Sequence, residues 1–351
     1  MGIKSLTKLI RQNAEGSIET KKLYQLSGKK VAIDTSILIY QYLMNIRSNN
    51  KLLTNKKGEV TSHISGIFYK TINYLSLGIE PIYVFDGKPP ADKYNLIKDR
   101  NKKAENAKSK LKSASSEEDI LKYEKMSTRI NKTHIDDIKK LLNLMGIEYI
   151  QDENGEAEGI ASELCRIGYV DYVVTEDMDA LVYNCPKMIR NNLDKTVKTK
   201  DIISVINLEE ILNSLELSHD KFIELCILCG CDYCENIPRV GHVKALKIIK
   251  EYDNIESFLE SNKTYKIPED YLERYKKSIE IFNMYKDKYN EDIPSFKSNI
   301  DISKLINYLV SDCDLSELKV QNAIQKMQNS FYSKINLPDG LSKSPDHLGN
   351  Q

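Results

Sequence analysis

Apolar and polar positions along the chain fall into blocks with two different periods. "KKVAID" (29–34) is a short continuous apolar run of the kind a buried strand shows, and from about Ser36 to Arg47 the residues Ile37, Tyr40, Gln41 and Met44 recur at helical spacing. "SHISGIFYKTINYLSLG" (62–78) predicts a second helix closed by Gly78, and "PIYVFDG" (81–87) a second strand that "GKPP" ends sharply. The alternation resumes further on with a helix over 133–145 stopped by Gly146, a strand over 147–150, a helix from about Glu156 to Ile167 and a strand over 171–174. Strands separated by helical stretches predict βαβ units, and so an α/β fold with a central, mostly parallel sheet flanked by helices. Beyond residue 207 the β signal fades, and "LEEILNSLELSHDKFIELCILCG" and "GHVKALKIIKEYDNIESFLES" read as helical.

Two stretches break this pattern. From Ala91 to about Asn131 the chain is charged and poor in Leu and Ile, which predicts a protruding helical arm that buries little surface. The segment from Leu337 onward is rich in Gly, Pro, Ser and Asp and is expected to be disordered.

Composition changes the picture only in its distribution. The formal net charge is zero over 351 residues, yet between 93 and 112 eight basic side chains (Lys93, Lys98, Arg100, Lys102, Lys103, Lys108, Lys110, Lys112) face only Asp99 and Glu105. A basic arm in a chain that also clusters acids suits a protein that attracts a polyanion and needs cations to act on it; a solvated helix face is the plainer alternative. Seven cysteines, an odd number, and the absence of an apolar leader argue against a secreted disulfide framework and for an intracellular, reducing setting. No apolar run approaches the roughly 20 residues a membrane span requires. The opening "MGIKSL" invites a myristoylation reading, but Leu6 stands where that motif needs Ser or Thr.

The chemistry is carried by acids at the downstream ends of apolar elements. "KVAID" ends on Asp34 and "PIYVFD" on Asp86; "IEYIQDENGEAEGIA" carries Glu156 and Glu158; "YVVTEDMDALVY" carries Asp177 and Asp179; "CILCGCDYC" places Asp232 after a helical segment. That is where a parallel sheet opens its ligand crevice. Carboxylates converging there would repel one another, and either protonation or divalent metal relieves the conflict. An oxygen-only donor set without histidine suits Mg²⁺ or Mn²⁺, and the number of acids implies two ions, the arrangement that clamps the attacking and leaving oxygens of a phosphodiester. In a regular helix Glu156 and Glu158 would point apart, so both reach one site only from the turn entering that helix. Lys93 and Arg100, seven residues apart, share a helix face from which they could stabilise charge on a phosphate. Cys226, Cys229, Cys231 and Cys234 have the look of a metal site, but four ligands within nine partly helical residues do not easily surround zinc.

Taken in order and spacing, "MGIKSL", "VAIDTSILIYQYL", "TSHISGIFYKT", "IYVFDGKPP", "GEAEG", "TEDMDAL" and "LCILCGCDYCENI" resemble the flap endonuclease family of structure-specific 5′ nucleases over roughly residues 1 to 260. The resemblance implies a two-metal 5′ flap endonuclease acting on DNA at single-strand/double-strand junctions in replication and repair. It implies metal ligation by Asp34, Asp86, Glu156, Glu158, Asp177, Asp179 and Asp232, directly or through water. Lys93 and Arg100 are the expected catalytic cations beneath a helical arch that the 5′ strand passes through. Tyr40 is expected to stack on a base, and Arg47, Lys70, Glu156, Gly230, Asp232, Arg239 and Gly241 to contact substrate.

"ENIPRVGHVKALKIIKEY" resembles a helix–hairpin–helix, but Arg239 replaces the first glycine of the usual pair and only Gly241 remains. That leaves the monovalent-cation site of the family open here. The expected regions are an N-terminal nuclease region (1–105), the arch (106–132), an internal nuclease region with the hairpin (133–255), a C-terminal helical region (256–336) and the tail (337–351). A 5′-3′ exonuclease or junction-cutting relative is the alternative within the family, and a non-catalytic DNA-binding scaffold the alternative outside it. "QKMQNSFY" comes nearest to a sliding-clamp box, with Gln328 where an aliphatic residue is needed. A monomer is expected, in the nucleus of a cellular eukaryote or at a cytoplasmic replication site of a virus.

Overall fold

The computed structural model describes residues 2–48, 51–88, 93–191, 193 and 201–335; the tail expected to be disordered lies outside them. Its strands are β1 (Ile18–Lys22), β2 (Lys30–Asp34), β3 (Arg47–Ser48), β4 (Lys51–Leu52), β5 (Glu80–Phe85), β6 (Tyr149–Gln151), β7 (Tyr172–Val174), β8 (Lys187–Asn191), β9 (Ile202–Asn207) and β10 (Ser295–Phe296). Eight of them form one sheet in the order β1-β9-β8-β7-β2-β5-β6-β10. From β8 to β6 neighbours run parallel, while β9, β1 and β10 join antiparallel at the edges. Strands β3 and β4 pair separately.

Alternate residues of each strand feed two cores. On β2, Val31 and Ile33 pack with Tyr83, Phe85 and Ile189 on one face, and Ala32 packs with Ile82, Val84 and Val173 on the other. The first face is covered by the helices Thr35–Asn45, Ser62–Ser76, Lys132–Met145 and Glu317–Ile335; the second by Leu6–Asn13, Ala157–Arg166, His219–Cys229, His242–Glu251 and Tyr271–Asn283. Local signals set several helix ends. Asn131 accepts the His134 N–H in a capping box, and Gly146 at φ 67° closes that helix in the left-handed conformation.

The structure corrects the sequence reading at three points. Strands β1, β8 and β9 were not expected; β1, "IETKK", is too polar to show a strand pattern and is held by its register with β9, Ile18 opposite Ile206. The helix after Asp34 ends at Asn45, because Arg47 pairs into β3. Its buried face is Leu38, Ile39 and Leu43. The expected row of Ile37, Tyr40, Gln41 and Met44 lies off that face, Tyr40 exposed and the other three half-buried, since apolar residues occur on more than one side of this helix and its periodicity did not select one.

The arm consists of the helices Tyr94–Ser113 and Glu117–Ser127, which pack on each other around the buried Ala104 and Ala107. Ser116 caps the second helix, whose first turn carries Glu117, Glu118 and Asp119, as the helix dipole favours. Two arginines fasten the arm to its surroundings: Arg129 donates to the Arg100 carbonyl at 2.5 Å, and Arg47 to Glu124 at 2.6 Å.

Candidate active site

The expected acids stand at or just beyond element ends: Asp34, Asp86, Asp177 and Asp179 after parallel strands, Glu156 and Glu158 at the start of the helix Ala157–Arg166, and Asp232 after the helix His219–Cys229. Asp34 closes β2 and caps the helix that follows, accepting the Ile37 N–H at 3.2 Å. Asp86 follows β5 and accepts the Ala157 N–H at 2.8 Å, which brings it to the N-terminus of the helix carrying Glu158. Glu156 is that helix's N-cap, in extended conformation, and Glu158 lies in its first turn; both act on the Lys93 ammonium, but Glu158 alone of the two joins Asp177 and Asp179 in a close oxygen cluster. Asp177 and Asp179 follow β7, and Asp179 accepts the Ile3 N–H at 2.8 Å.

Oxygens of Glu158, Asp177 and Asp179 come within 4.8 Å of one another. The electrostatics record the crowding. Burial, with Asp86 and Asp177 adding to it, pushes Asp34 up to about 8. Burial with Asp177 and Asp179 holds Glu158 well above the ordinary carboxylate range. Burial with Asp177 and Asp232 does the same to Asp179, and burial raises Asp177 as well. Buried carboxylates that raise one another's pKa, all oxygen donors, fit a hard divalent cation. The four clustered cysteines are buried and do not join such a group among the described residues.

The two expected cations are seated on acids of the crevice. Lys93, the N-cap of the long arm helix, donates to Glu156 Oε1 and lies 5.1 Å from the centroid of the Tyr233 ring. Burial alone would lower its pKa, but Tyr233, Glu156 and Glu158 outweigh that and raise it. Arg100 donates to Asp232 Oδ2 at 3.1 Å.

Substrate positions are spread around this centre. The Tyr40 ring is exposed on the helix that Asp34 caps. Lys70 lies 4.6 Å from the Tyr74 ring centroid and, with Asp34, Gln41 and Arg190, lines a cavity of about 480 Å³. Arg47 is engaged with Glu124 of the arm. Gly230, at φ 98°, accepts the Lys4 N–H at 2.9 Å. Arg239 adopts φ 69°, the left-handed turn conformation that a glycine would take without cost. Gly241 caps the helix His242–Glu251, and a Cβ there would meet nothing within 4 Å, so neither strain nor packing demands its glycine.

Other residues entered the site without a readable signal. Gly2, at φ 89°, lies so close to the acids that a Cβ would fall 2.0 Å from Asp177 Oδ1. Tyr183, Tyr233 and Tyr285 all bond Glu156. Three of these four positions fall inside quoted motifs, Gly2 in "MGIKSL", Tyr183 at the end of "YVVTEDMDALVY" and Tyr233 in "CDYC", yet nothing local gave them a role; Tyr285 lies outside all of them.

Residues 1–107 match the XPG N-terminal domain and residues 146–232 the XPG I-region. Flap endonuclease 1-A of Sorghum bicolor is 41% identical over 337 residues, 94% of this chain and 87% of that protein. The chain belongs to the flap endonuclease family. Flap endonuclease 1 of Candida tropicalis is 37% identical, with 98% of this chain and 96% of that protein covered. Among solved structures, flap endonuclease-1 from Methanococcus jannaschii aligns with a TM-score of 0.67 at 31% identity, over 90% of this chain and 97% of that one. The catalytic core of Rad2 in complex with DNA substrate has the same fold, with a TM-score of 0.66 at 23% identity over 93% and 100% of the two chains. As a flap endonuclease, this protein is a structure-specific 5′ nuclease that hydrolyses phosphodiester bonds. The family is metal-dependent, and Glu158, Asp177 and Asp179 form an acid cluster able to bind metal. No helix among the described residues is long and apolar enough to cross a membrane.

Proposed function

We propose that this flap endonuclease cuts DNA at a 5′-flap junction with two divalent cations, Mg²⁺ or Mn²⁺, held by the seven acids of the crevice. The observation that carries the reading is the trio Glu158, Asp177 and Asp179, whose oxygens lie within 4.8 Å of one another although all three acids are raised toward protonation. Those three would hold one ion; Asp34, Asp86, Glu156 and Asp232 would complete the set directly or through water. When bound, the ions supply Lewis-acid activation of the attacking water and neutralise charge on the scissile phosphate.

The chain's own cations do the remaining work. Lys93 and Arg100 rest on Glu156 and Asp232, at the rim of the acid cluster. An arriving phosphate offers each a second anionic partner, so both donors are oriented before the substrate enters and add to transition-state stabilisation. Tyr40, exposed on the helix that Asp34 caps, would stack on a base near the cut. Lys70 and Arg190 flank the adjoining cavity as phosphate contacts, and Arg239 with the backbone at Gly241 would meet duplex phosphates at the hairpin. The relatives, from Sorghum bicolor and Candida tropicalis, support a nuclear replication and repair setting. As for a clamp, "QKMQNSFY" lies within the helix Glu317–Ile335 with Met327 buried, which supports a reading without a clamp box there.

The test is cleavage of a 5′-flap duplex across a Mg²⁺ and Mn²⁺ titration, with binding followed in parallel under chelation. Cleavage that stops in chelator while binding persists supports the assignment; cutting at a comparable rate without divalent metal overturns it.

A further inference from the structure

Glu156 is gripped from three directions by phenols. Its Oε2 accepts hydrogen bonds from Tyr233 at 2.6 Å and from Tyr183 at 3.2 Å, and its backbone N–H donates to the Tyr285 hydroxyl at 2.6 Å. Lys93 occupies Oε1. The rings meet edge-on in a chain: Tyr183 lies 5.5 Å from Tyr285 and 5.3 Å from Phe282, and Tyr233 lies 5.6 Å from Phe282.

Tyr183 and Tyr285 are 5% and 2% exposed, where phenylalanine would fill the space without a hydroxyl to desolvate. Among the described residues the two hydroxyls find their partners at Glu156 and Tyr233. Tyr285 belongs to the C-terminal helical region, 129 residues away from Glu156 in the chain. It reaches the site because residue 159 is glycine: a Cβ there would lie 2.2 Å from the Tyr285 ring. Glu156 needs such support, since it sits outside the regular helix and makes no side-chain capping bond.

We propose that Tyr183 and Tyr285 are positioning residues of the cleavage reaction. Tyr183, with Tyr233, fixes the Glu156 carboxylate, and Tyr285 fixes the backbone that carries it; together they set the resting place of the Lys93 ammonium beside the acid cluster. The proposal rests on the assignment of Glu156 and Lys93 to the active site.

The experiment compares Tyr183→Phe, Tyr285→Phe and Gly159→Ala in the parent and in a Glu156→Gln background. Gly159→Ala displaces the Tyr285 ring while keeping its hydroxyl. The readouts are single-turnover cleavage of a 5′-flap duplex, the Mg²⁺ concentration at half-maximal rate, the rise in Tm that Mg²⁺ produces, and duplex affinity in chelator. Each change is expected to slow cleavage by roughly five- to tenfold, the size of one ordinary hydrogen bond. Each should also raise the Mg²⁺ requirement and shrink the Mg²⁺-induced rise in Tm, with duplex affinity in chelator unchanged. In the Glu156→Gln background the tyrosine changes should cost nothing further, because their effect runs through Glu156. Parental rate and Mg²⁺ dependence in both phenylalanine variants, or the same fold-loss in both backgrounds, overturns the proposal. If Glu156→Gln alone cleaves at the parental rate, the active-site assignment of Glu156 is what fails.

Discussion

Asp179 is 4% exposed and spends one carboxylate oxygen on the Ile3 N–H, so its shape and its charge can be separated by experiment. Asparagine keeps the amide-accepting oxygen and removes the negative charge. In metal-free buffer that relieves repulsion with Asp177 and Asp232, which together with burial hold Asp179 toward protonation. Asp179→Asn is therefore expected to bind a 5′-flap duplex as the parent does, to be no less stable without metal, and to cleave far more slowly; an Asp kept for structure would instead lose stability, with activity tracking the folded fraction. Lys93 and Arg100 make a different prediction, because each already has an anionic partner in the resting site. Lys93→Ala and Arg100→Ala are each expected to slow single-turnover cleavage by roughly 10²-fold, by analogy with a lost oxyanion donor. Duplex affinity should change little, and a large loss of affinity at an unchanged rate would make them phosphate anchors instead.

The hairpin before His242–Glu251 shows how an element can carry local cost. Arg239 takes a positive φ in a turn whose usual residue is glycine, and it is exposed, so packing does not repay the strain. Arg239→Gly is expected to raise stability by about 1 kcal/mol from relief of the left-handed conformation. The same change should weaken duplex binding and flatten its salt dependence by about one phosphate contact. Denaturant unfolding and a salt titration of affinity check the two halves separately. The arm is the complementary case. Its charged composition foretold a protruding helical element, whereas the ties of Arg129 to the Arg100 carbonyl and of Arg47 to Glu124 join residues 29 and 77 positions apart and leave no local trace.

Over the whole molecule, the crowded acids make stability depend on pH. Asp34 is raised to about 8, and Glu158, Asp177 and Asp179 also lie above their ordinary values. Between the ordinary carboxylate range and about 8 the folded chain holds more protons than the unfolded chain, so stability falls as pH rises through that window. In chelator, Tm should decline between pH 5 and pH 8, and added Mg²⁺ should restore more of it at pH 8 than at pH 5. A flat profile in chelator would show that these carboxylates are relaxed in the folded chain. Much of this molecule was nonetheless legible beforehand. Asp34, Asp86, Asp177 and Asp179 could be placed at the carboxyl ends of β2, β5 and β7 because a buried parallel strand is a continuous apolar run, and the residue that ends it opens onto the crevice. Runs of that kind are local, and so are caps such as Asn131 and Gly146. The polar edge strand β1, the choice of Leu38, Ile39 and Leu43 as the buried face of the helix after Asp34, Gly2 against Asp177, and Tyr285 against Glu156 had no local signature. Each exists only because segments distant in sequence meet in space, where the partner's shape and charge, not the residue's own neighbours, decide what it does.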